Sequence, residues 1–493
     1  MIKFVSLGNL GRLGNQMFQV ASTIGIAERN KTLAVFNHWE YLKYFDNELT
    51  IHNYPGAIFI KEKNFHHDDY KLCDEHNYSL HGYFQSYKYF SKDFKFKFRE
   101  SLIQKSYQLL PKNDRENIAI HIRRGDYVGN PSHYNLSIRY YLNALDAFGD
   151  LDKYNLCFFS DDIEYVKWHF ESLPNAYFIQ GNEIEDLCIM SLCDHFIIAN
   201  SSFSWWGAYL GAKDHSTIIR PKEHFAGNQL KHDIKDLYPE EWIVVSDETK
   251  VVLLDTTFII PVAYDHNDRM ANLNLSVQHI QTNFNTNISV IEQGGTKFNY
   301  VEDYCDYAFY KSEQFHRTRM INKIAKFVIT DYVVNWDADM ILNPVKIWRS
   351  VKLLRANVDV VYPYDGNFKH IEKAKHRHLA TNLDWLIGKE FNGPIESWGG
   401  AIFLNRKRFL EVGGENEKFV SWGPEDAERY VRFLKTGLSV IRLSGPIYHL
   451  EHYRGKNSGR HNPHLEANRK EWHMIRVMEP EALKEYIKTW PWM

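Results

Sequence analysis

The sequence predicts an α/β protein whose single chain folds into two units. Its 493 residues exceed the usual length of one domain, and short apolar strands alternate with helical segments in both halves. A polar stretch, SDETK, separates the end of one pattern (DLYPEEWIVV) from a new apolar strand (VVLLD). We therefore place the boundary within residues 244–251 and expect domains at residues 1–246 and 252–493.

Three short apolar stretches in the first half are typical of buried parallel strands, because they are rich in β-branched and aromatic residues. They are residues 118–122 (IAIHI), 156–159 (LCFF) and 196–199 (FIIA). Helical segments lie between them, for example at residues 138–148. This strand–helix–strand order predicts a doubly wound α/β sheet.

The second half alternates in the same way. Strands are predicted at residues 258–261, 288–292 and 332–336, ahead of a longer mixed region. A helix is predicted from Pro424 to about Thr436, because proline favours the first helical turn and Gly437 follows the end.

Charge, hydropathy and cysteines narrow the class of protein. The chain has 59 Lys and Arg against 62 Asp and Glu, so it has no general attraction for nucleic acid. Its start lacks signal-peptide features, and the most apolar stretch, residues 251–263, is too short and too polar to span a bilayer. The scattered cysteines predict reduced core thiols in a cytoplasmic protein. They are Cys73, Cys157, Cys188, Cys193 and Cys305.

Polar residues follow each of the three strands of the first half, where ligands bind in open α/β sheets. Guanidinium groups, carboxylates and hydroxyls in these positions suit a nucleoside diphosphate. Taken singly, each ending also fits a helix cap, a turn or a solvated surface, and Trp205-Trp206 fits either a core or a stacking wall. The residues are Arg123, Arg124, Asp126, Asp161, Asp162, Asn200, Ser201, Ser202 and Ser204.

Five segments of the first half resemble the α-1,2-fucosyltransferases of glycosyltransferase family 11. They are GRLGNQMFQ (11–19), GYFQSYKYF (82–90), HIRRGDYV (121–128), FSDD (159–162) and NSSFSWWGA (200–208). The resemblance covers about residues 1–245. It implies a GT-B fold with two Rossmann-like halves, GDP-fucose as the donor, no metal, and inversion at the fucose anomeric carbon.

The same resemblance assigns roles to residues of the first half. It implies that Arg123 or Arg124 holds the β-phosphate, with His121 and Asp126 beside it. Asp126 is either the general base or the residue that orients the arginine. The nucleotide pocket is expected to include Asp161, Ser201, Ser202 and Phe203, and Asn15 and Gln16 are expected to face the sugars.

Three groups of residues in the second half suit a second nucleotide-sugar site. Asp337 and Asp339 lie two apart, so in an extended segment both carboxylates face one side and could hold Mn²⁺ or Mg²⁺. His449 and His452 could meet one metal if their segment is a helix or a turn. Glu425-Asp426, after Trp422, could act as a base beside a sugar-stacking indole. The alternatives are a chance DxD, surface histidines and an ordinary helix start.

Several segments of the second half resemble GT-A enzymes of the β-1,4-galactosyltransferase type and the N-acetylgalactosaminyltransferase domains of polysaccharide polymerases. They include WDADM (336–340), and the most specific part is the run through SWGGAIFLNRKRFLEVGG (397–414) and SWGPEDAERY (421–430). The resemblance covers about residues 252–455. The sequence departs from the family pattern at two places. Pro424 stands where the family often has glycine, which stiffens the loop before Glu425. Val262-Ala263 replaces a more basic stretch of the nucleotide loop, which leaves Arg269 as the nearest cation.

This second resemblance implies a Mn²⁺-dependent, inverting transfer from a UDP-sugar. It assigns the metal to Asp339 with one or both of His449 and His452, and the catalytic base to Asp426. The residues expected to bind the UDP-sugar are Arg269, Phe298, Asp337, Gly400, Trp422 and Glu425.

Together the two halves predict a bifunctional glycosyltransferase that acts on nucleotide sugars and a glycan acceptor. The second domain is expected to add β-galactose from UDP-galactose, and the first to add fucose to its 2-hydroxyl. The alternatives are UDP-N-acetylgalactosamine or UDP-glucose as the second donor, a separate acceptor for each domain, or one domain that only binds carbohydrate.

Overall fold

The computed structural model describes residues 1–54, 56–73, 75–264, 266–297, 306–312, 314–380, 382–453 and 462–493. The chain divides into two compact units. The first comprises Met1–Lys167 and Pro174–Thr249, and the second comprises Trp168–Leu173 and Lys250–Met493. Both are mixed α/β structures with parallel strands, as the sequence predicts.

The chain up to residue 249 alternates strands and helices almost throughout. These elements are β1 (Ile2–Phe4), α1 (Leu13–Arg29), β2 (Ala34–Val35), β3 (Ile58–Lys61), β4 (Tyr78–His81), α2 (Glu100–Tyr107), β5 (Glu116–Ile122), α3 (Ile138–Asp146), β6 (Tyr154–Ser160), α4 (Ile163–Phe170), β7 (Ala176–Phe178), α5 (Glu183–Ser191), β8 (His195–Ile197), α6 (Ser202–Gly211), β9 (Ile218–Pro221) and β10 (Ile243–Val245).

The first unit contains two separate parallel sheets. The first sheet has the order β2-β1-β4-β3, and the second has the order β10-β9-β8-β5-β6-β7. Each pairing within them is parallel, for example β5 with β6 and β8. Two parallel sheets in one unit therefore present two sets of carboxyl-terminal strand ends, which is where α/β sheets bind ligands.

One apolar core is shared by α1, which follows β1 of the first sheet, and α6, which follows β8 of the second sheet. Trp205 and Trp206 are buried in it, and each indole N–H donates to a backbone carbonyl, at Leu237 and Gly14 respectively. The tryptophan pair is therefore core, the first of the two alternatives. Because a Cβ on Gly14 would lie 2.6 Å from the backbone of Ser202 and Phe203, α1 and α6 approach each other closely at their first turns.

The chain from residue 250 onward has more varied strand directions. Its elements are β11 (Val251–Val262), α7 (Asn267–Asn283), β12 (Phe284–Gly294), β13 (Asp306–Lys311), α8 (Arg317–Phe327), β14 (Tyr332–Trp336), β15 (Met340–Ile341), α9 (Pro344–Arg355), β16 (Val360–Tyr362), β17 (Phe368–Ile371), α10 (His376–Leu379), β18 (Ala401–Asn405), α11 (Arg406–Glu411), α12 (Glu425–Lys435), β19 (Val440–Arg442), β20 (Ile447–Leu450), α13 (Leu465–Val477) and α14 (Pro480–Lys488).

The second unit contains a large mixed sheet and a small one. The large sheet has the order β13-β12-β11-β14-β18-β16-β19, in which β18 runs antiparallel to both of its neighbours. The small sheet has the order β15-β20-β17. The turn between β14 and β15 connects the two sheets, so residues 337–339 lie where the sheets meet.

The predicted elements are confirmed with small shifts. Strand β8 ends two residues before the prediction, and the carbonyl of Ile198, just beyond its end, accepts a hydrogen bond from the hydroxyl of Tyr140. The apolar stretch from residue 251 is one strand, β11, interrupted by a register shift between Leu253 and Thr257. The carbonyl of Leu253 there accepts a hydrogen bond from the side chain of Thr286, which compensates for the lost ladder bond.

The cysteines only partly fit the expectation of core thiols. Cys157, Cys188 and Cys193 are buried and free, but Cys73 is free and exposed. Cys305 lies outside the described residues. Among the helices that the structure describes, none is both long and apolar enough to cross a membrane.

Candidate functional site

The first unit contains a cavity of about 870 Å³ at the carboxyl ends of its strands. Segments after β1, β3 and β4 supply one part of the lining, and segments after β5, β6, β7, β8 and β9 supply another. The polar lining residues include Arg12, Asn15, Glu62, His121, Arg123, Asp126, Asp161, Asp186, Ser201 and Ser202. The cavity therefore lies where the strand-end rule expects a ligand.

Arg123 is the best-positioned cation in this cavity. Its guanidinium forms ion pairs with Asp126 and Asp161, the latter at 2.7 Å, and its side chain is 14% exposed. A Cβ at Gly125 would collide with the Asp161 carboxylate, so the motif needs glycine there. Because carboxylates hold it on two sides, Arg123 is preorganised to meet an anion.

Arg124 does not line the cavity, which corrects the expectation that either arginine could hold the phosphate. Its Nε donates to Asp162 at 3.2 Å, and its guanidinium lies 3.6 Å from the centre of the Tyr165 ring. Its backbone N–H donates to Asp161. Arg124 therefore packs within the protein and helps to fix the loop that carries Arg123.

Asp126 contacts the guanidinium of Arg123, a contact that the orienting role, one of the two considered for it, requires. It also lies 3.5 Å from Arg12, a cavity residue within the GRLGNQ segment that the sequence analysis did not single out. Burial raises the pKa of Asp126, but Arg123 and Arg12 lower it more, so the net shift is downward. Asp126 is therefore an ionised carboxylate between two guanidinium groups.

His121 stays neutral in this site. Burial, together with Arg123, lowers its pKa to about 3, so the ring acts as a hydrogen-bonding group and not as a cation. Its Nδ1 is buried and makes no hydrogen bond among the described residues. The ring lies 5.4 Å from that of Phe203, which also lines the cavity.

Asn15 and Ser202 connect the two sheets at the cavity. The Asn15 side-chain oxygen accepts hydrogen bonds from the Ser202 hydroxyl at 2.6 Å and from Gln85 at 2.5 Å. Ser201 caps α6 by accepting from the N–H of Phe203. The first turn of α6 thus presents backbone N–H groups beside the cavity, where they favour an anion.

Gln16 does not face the cavity, contrary to expectation. It is buried, its amide donates to the carbonyl of Gly11 at 3.0 Å, and its oxygen accepts from the Trp39 indole at 2.9 Å. Both polar ends are therefore used inside the protein, and Gln16 supports the loop that precedes α1.

In the second unit, the Asp337–Asp339 segment is a turn between β14 and β15 and not an extended strand, which corrects the simple alternation argument. Asp339 is buried. One of its oxygens lies 2.9 Å from Nε2 of His452, 3.7 Å from Nε2 of His449 and 3.3 Å from Arg269. The histidines thus meet Asp339 although His449 lies in strand β20 and not in a helix or turn.

Asp339, His449 and His452 form a donor set that fits a divalent cation. Their ligand atoms lie within 4.8 Å of one another. Nδ1 of His452 lies 2.6 Å from the carbonyl of Tyr453, and Nδ1 of His449 lies 3.1 Å from Nδ1 of His370. Both Nε2 atoms therefore face the carboxylate, the arrangement in which imidazole binds a metal. Carboxylate plus imidazole suits Mn²⁺ better than Mg²⁺.

Arg317, which the sequence analysis did not single out, connects this turn to the start of α12. It donates to Asp337 at 2.7 Å and to Asn335 at 2.9 Å, and its Nη1 lies 3.8 Å from Asp426. Arg429 donates to the same Asp426 oxygen at 2.6 Å. The turn and the helix start therefore form one continuous charged site.

Glu425 and Asp426 differ in protonation although they are neighbours. Burial raises the pKa of Asp426, but Arg429 and Arg317 lower it more, so the carboxylate is ionised. Burial and the adjacent Asp426 raise the pKa of Glu425, and its Oε2 has no hydrogen-bond partner among the described residues. Asp426 is therefore the charged member of the pair.

The other predicted residues of the second unit have distinct positions. The Trp422 side chain is 41% exposed, and its carbonyl accepts from Asn462 and Asn468. Gly400 accepts the Asp337 N–H at its carbonyl, at 2.8 Å, so it supports the turn. Phe298 lies outside the described residues.

Comparison with known proteins agrees with both units. Residues 4–246 match the family model described as glycosyl transferase family 11. Residues 389–455 match a model described as the N-terminal domain of galactosyltransferase. The α-1,2-colitosyltransferase of Escherichia coli is 31% identical over 281 residues, which cover 47% of this chain and 96% of that protein.

Two further relatives match shorter stretches. The O-antigen biosynthesis glycosyltransferase WbnK of Escherichia coli is 38% identical over 119 residues, which are 22% of this chain and 39% of that protein. The xylosylprotein 4-beta-galactosyltransferase of Caenorhabditis elegans is 27% identical over 135 residues, which are 27% of this chain and 39% of that protein. The matches to these two relatives thus span less than half of each.

The α/β units and these matches define a glycosyltransferase. The chain belongs to glycosyl transferase family 11 through its first half, and its second half is galactosyltransferase-like. The resemblances of the first half to family 11 and of the second half to galactosyltransferases are thereby confirmed.

Proposed function

We propose that the chain is a bifunctional inverting glycosyltransferase with one nucleotide-sugar site in each unit. The first unit transfers L-fucose from GDP-fucose to the 2-hydroxyl of a terminal galactose. The second transfers galactose from UDP-galactose. The observation that carries this proposal is the contrast between the sites: a guanidinium held by two carboxylates in the first, and a carboxylate facing two imidazoles in the second.

The two units correspond to different glycosyltransferase architectures. We assign the first to the GT-B type, because two parallel sheets supply one cavity through their carboxyl-terminal ends. We assign the second to the GT-A type, because a mixed sheet carries the aspartate turn at its junction with a small sheet.

In the first unit, the departing GDP gains negative charge as its bond to fucose breaks. Arg123 is fixed by Asp126 and Asp161, so it meets that charge without reorganising. The backbone N–H groups at the start of α6 and the nearby Arg12 add further positive potential. Neutral His121 offers its Nδ1, which has no hydrogen-bond partner in the part of the chain that the structure describes, to a ligand.

In the second unit, Asp339, His449 and His452 would hold Mn²⁺, which when bound supplies positive charge to the diphosphate of the donor. Asp426 takes the proton of the acceptor hydroxyl, since it is ionised and held in place by Arg317 and Arg429. The exposed indole of Trp422 offers a flat apolar face to a sugar ring.

We further propose that the second unit acts first and supplies the galactose to which the first unit adds fucose. Placing both sites on one chain raises the local concentration of the shared intermediate. UDP-N-acetylgalactosamine or UDP-glucose is the alternative donor for the second unit. Colitose is a second candidate for the sugar transferred by the first unit, because an α-1,2-colitosyltransferase is among its relatives.

Mass analysis of products tests the two activities and their order. The purified chain is incubated with an acceptor sugar lacking galactose, UDP-galactose, GDP-fucose and Mn²⁺, and each donor is then omitted in turn. We expect a hexose-plus-deoxyhexose product with both donors, a hexose product without GDP-fucose, and no product without UDP-galactose. Fucosylation in the absence of UDP-galactose would contradict the order. Replacing each donor by its alternatives identifies the sugars.

Removal of the metal is expected to separate the two activities. EDTA should abolish hexosyl transfer and leave fucosyl transfer to a β-galactoside unchanged. Asp339→Asn should weaken Mn²⁺ binding, measured by calorimetry, by at least about 100-fold, whereas His370→Ala should weaken it about 10-fold because His370 only positions His449. Equal Mn²⁺ affinities for Asp339→Asn and wild type would place the metal elsewhere.

A further inference from the structure

The carboxylates that line the cavity of the first unit are the candidates for its proton acceptor. They are Glu62, Asp126, Asp161, Glu183 and Asp186. Asp126 and Asp161 both contact Arg123. Glu183 accepts from the hydroxyl of Tyr41. Asp126 and Asp161 contact the guanidinium that meets the leaving group, so they lie on the leaving-group side of the anomeric carbon, whereas the proton is taken on the opposite side. Glu183 is exposed, which leaves the partly buried carboxylates of Glu62 and Asp186.

Glu62 and Arg123 reach the cavity from different sheets. Glu62 directly follows β3 of the first sheet, whereas Arg123 directly follows β5 of the second. In an inverting transfer the acceptor attacks the face of the anomeric carbon opposite to the leaving phosphate. The origin of Glu62 and Arg123 in different sheets favours a base and a cation on opposite sides of a donor bound in the cavity. Asp186 lies in α5, which follows β7 of the same sheet that contains β5.

The turn after β4 holds the Glu62 carboxylate. The N–H groups of Tyr83 and Phe84 donate to its two oxygens, each at 2.7 Å. Gly82 has φ +149°, and a Cβ there would collide with Glu62. Phe84 is buried in the left-handed region at φ +51°, which is costly for a residue other than glycine. The GYFQ segment (82–85) therefore holds the Glu62 side chain in one direction.

The surroundings of Glu62 make it basic near neutral pH. Burial raises its pKa to about 7, although the bonds from Tyr83 and Phe84 lower it, and the Asp68 carboxylate raises it further. The other titratable groups that interact with it are the phenols of Tyr70 and Tyr89. Burial likewise raises the pKa of Asp186 to about 6.

We propose that Glu62 is the general base of the first unit, an inference that rests on the proposed fucosyl transfer. Its carboxylate takes the proton of the acceptor hydroxyl while that oxygen forms a bond to the anomeric carbon of fucose. The bond from that carbon to the phosphate oxygen breaks at the same time, and its electron pair leaves with GDP, where Arg123 meets the charge. Glu62 is then protonated and returns the proton to solvent.

Glu62→Gln tests this role, with Asp186→Asn as the matched control in the same cavity. For Glu62→Gln we expect fucosyl-transfer kcat to fall about 10²–10⁴-fold, with the Kd of GDP-fucose changed less than about twofold. In the wild type, kcat/KM should fall about tenfold per pH unit below pH 7, because the base becomes protonated, and Glu62→Gln should lack this limb. Asp186→Asn should retain the limb.

Azide separates a catalytic from a structural role, since it attacks without losing a proton. Glu62→Ala with sodium azide and GDP-fucose should form α-fucosyl azide by the same inverting displacement, detected by mass spectrometry and NMR. Either of two results overturns the role of Glu62 and leaves the proposed function intact. One is a Glu62→Ala variant that forms neither the fucosyl azide nor the fucosylated acceptor. The other is a Glu62→Gln enzyme with the kcat of the wild type and the same fall of kcat/KM at low pH. A wild-type chain that transfers no fucose overturns the proposed function and this inference together.

Discussion

Replacing Arg123 by alanine should lower the kcat of fucosyl transfer by about 10²–10³-fold, the usual cost of losing one preorganised group at a developing negative charge. The loss should fall on kcat more than on the Kd of GDP-fucose, because the charge on the leaving GDP is greatest in the transition state. Steady-state kinetics with a β-galactoside acceptor, together with calorimetry of GDP binding, measure both quantities.

Arg124→Ala is the matched control, since the two arginines are adjacent and chemically identical. Arg124 packs on Tyr165 and pairs with Asp162 away from the cavity. Its loss should lower the melting temperature and change kcat less than about threefold. A larger loss of kcat for Arg124→Ala than for Arg123→Ala would reverse the assignment.

Asp426→Asn should lower the kcat of hexosyl transfer by about 10²–10⁴-fold, the usual contribution of a general base. Asparagine keeps the shape of aspartate but cannot take the acceptor proton. Because Arg317 and Arg429 both face this carboxylate, the variant is also expected to lose stability. Thermal unfolding and UDP-galactose affinity are therefore measured with the kinetics, and donor binding should persist.

Glu425→Gln is the control for this second prediction. Burial and Asp426 raise the pKa of Glu425, so the side chain carries a proton, and glutamine is a close neutral replacement. The kcat should change less than about tenfold. A severe defect in Glu425→Gln with an active Asp426→Asn enzyme would make Glu425 the base.

The secondary structure was largely predictable because its signals are local. Strand β14 has the predicted bounds, and α12 begins one residue after Pro424 and ends one residue before Thr436. The apolar runs and the positions of proline and glycine suffice for this, since each acts over a few residues. The register shift in β11 depends on the side chain of Thr286 in the next strand, which no local pattern reveals.

The residue types of the candidate sites could be predicted from the sequence, but the directions in which their side chains point could not. HIRRGD placed two arginines after a strand, yet adjacent side chains of a non-helical segment point to different sides, so the sequence could not choose between Arg123 and Arg124. Gln16 was misplaced for a similar reason, because its amide groups find partners at Gly11 and Trp39.

By itself, the sequence determined the α/β class, the order of the elements and the chemical groups that follow the strands, because these depend on residue type and short-range spacing. Only the tertiary structure decided that Arg123 and not Arg124 lines the cavity, that Arg317 connects Asp337 to Asp426, and that Glu62 reaches the same cavity as Arg123. These placements are set by how whole helices and strands pack against one another, because they depend on contacts between residues that are far apart in the chain.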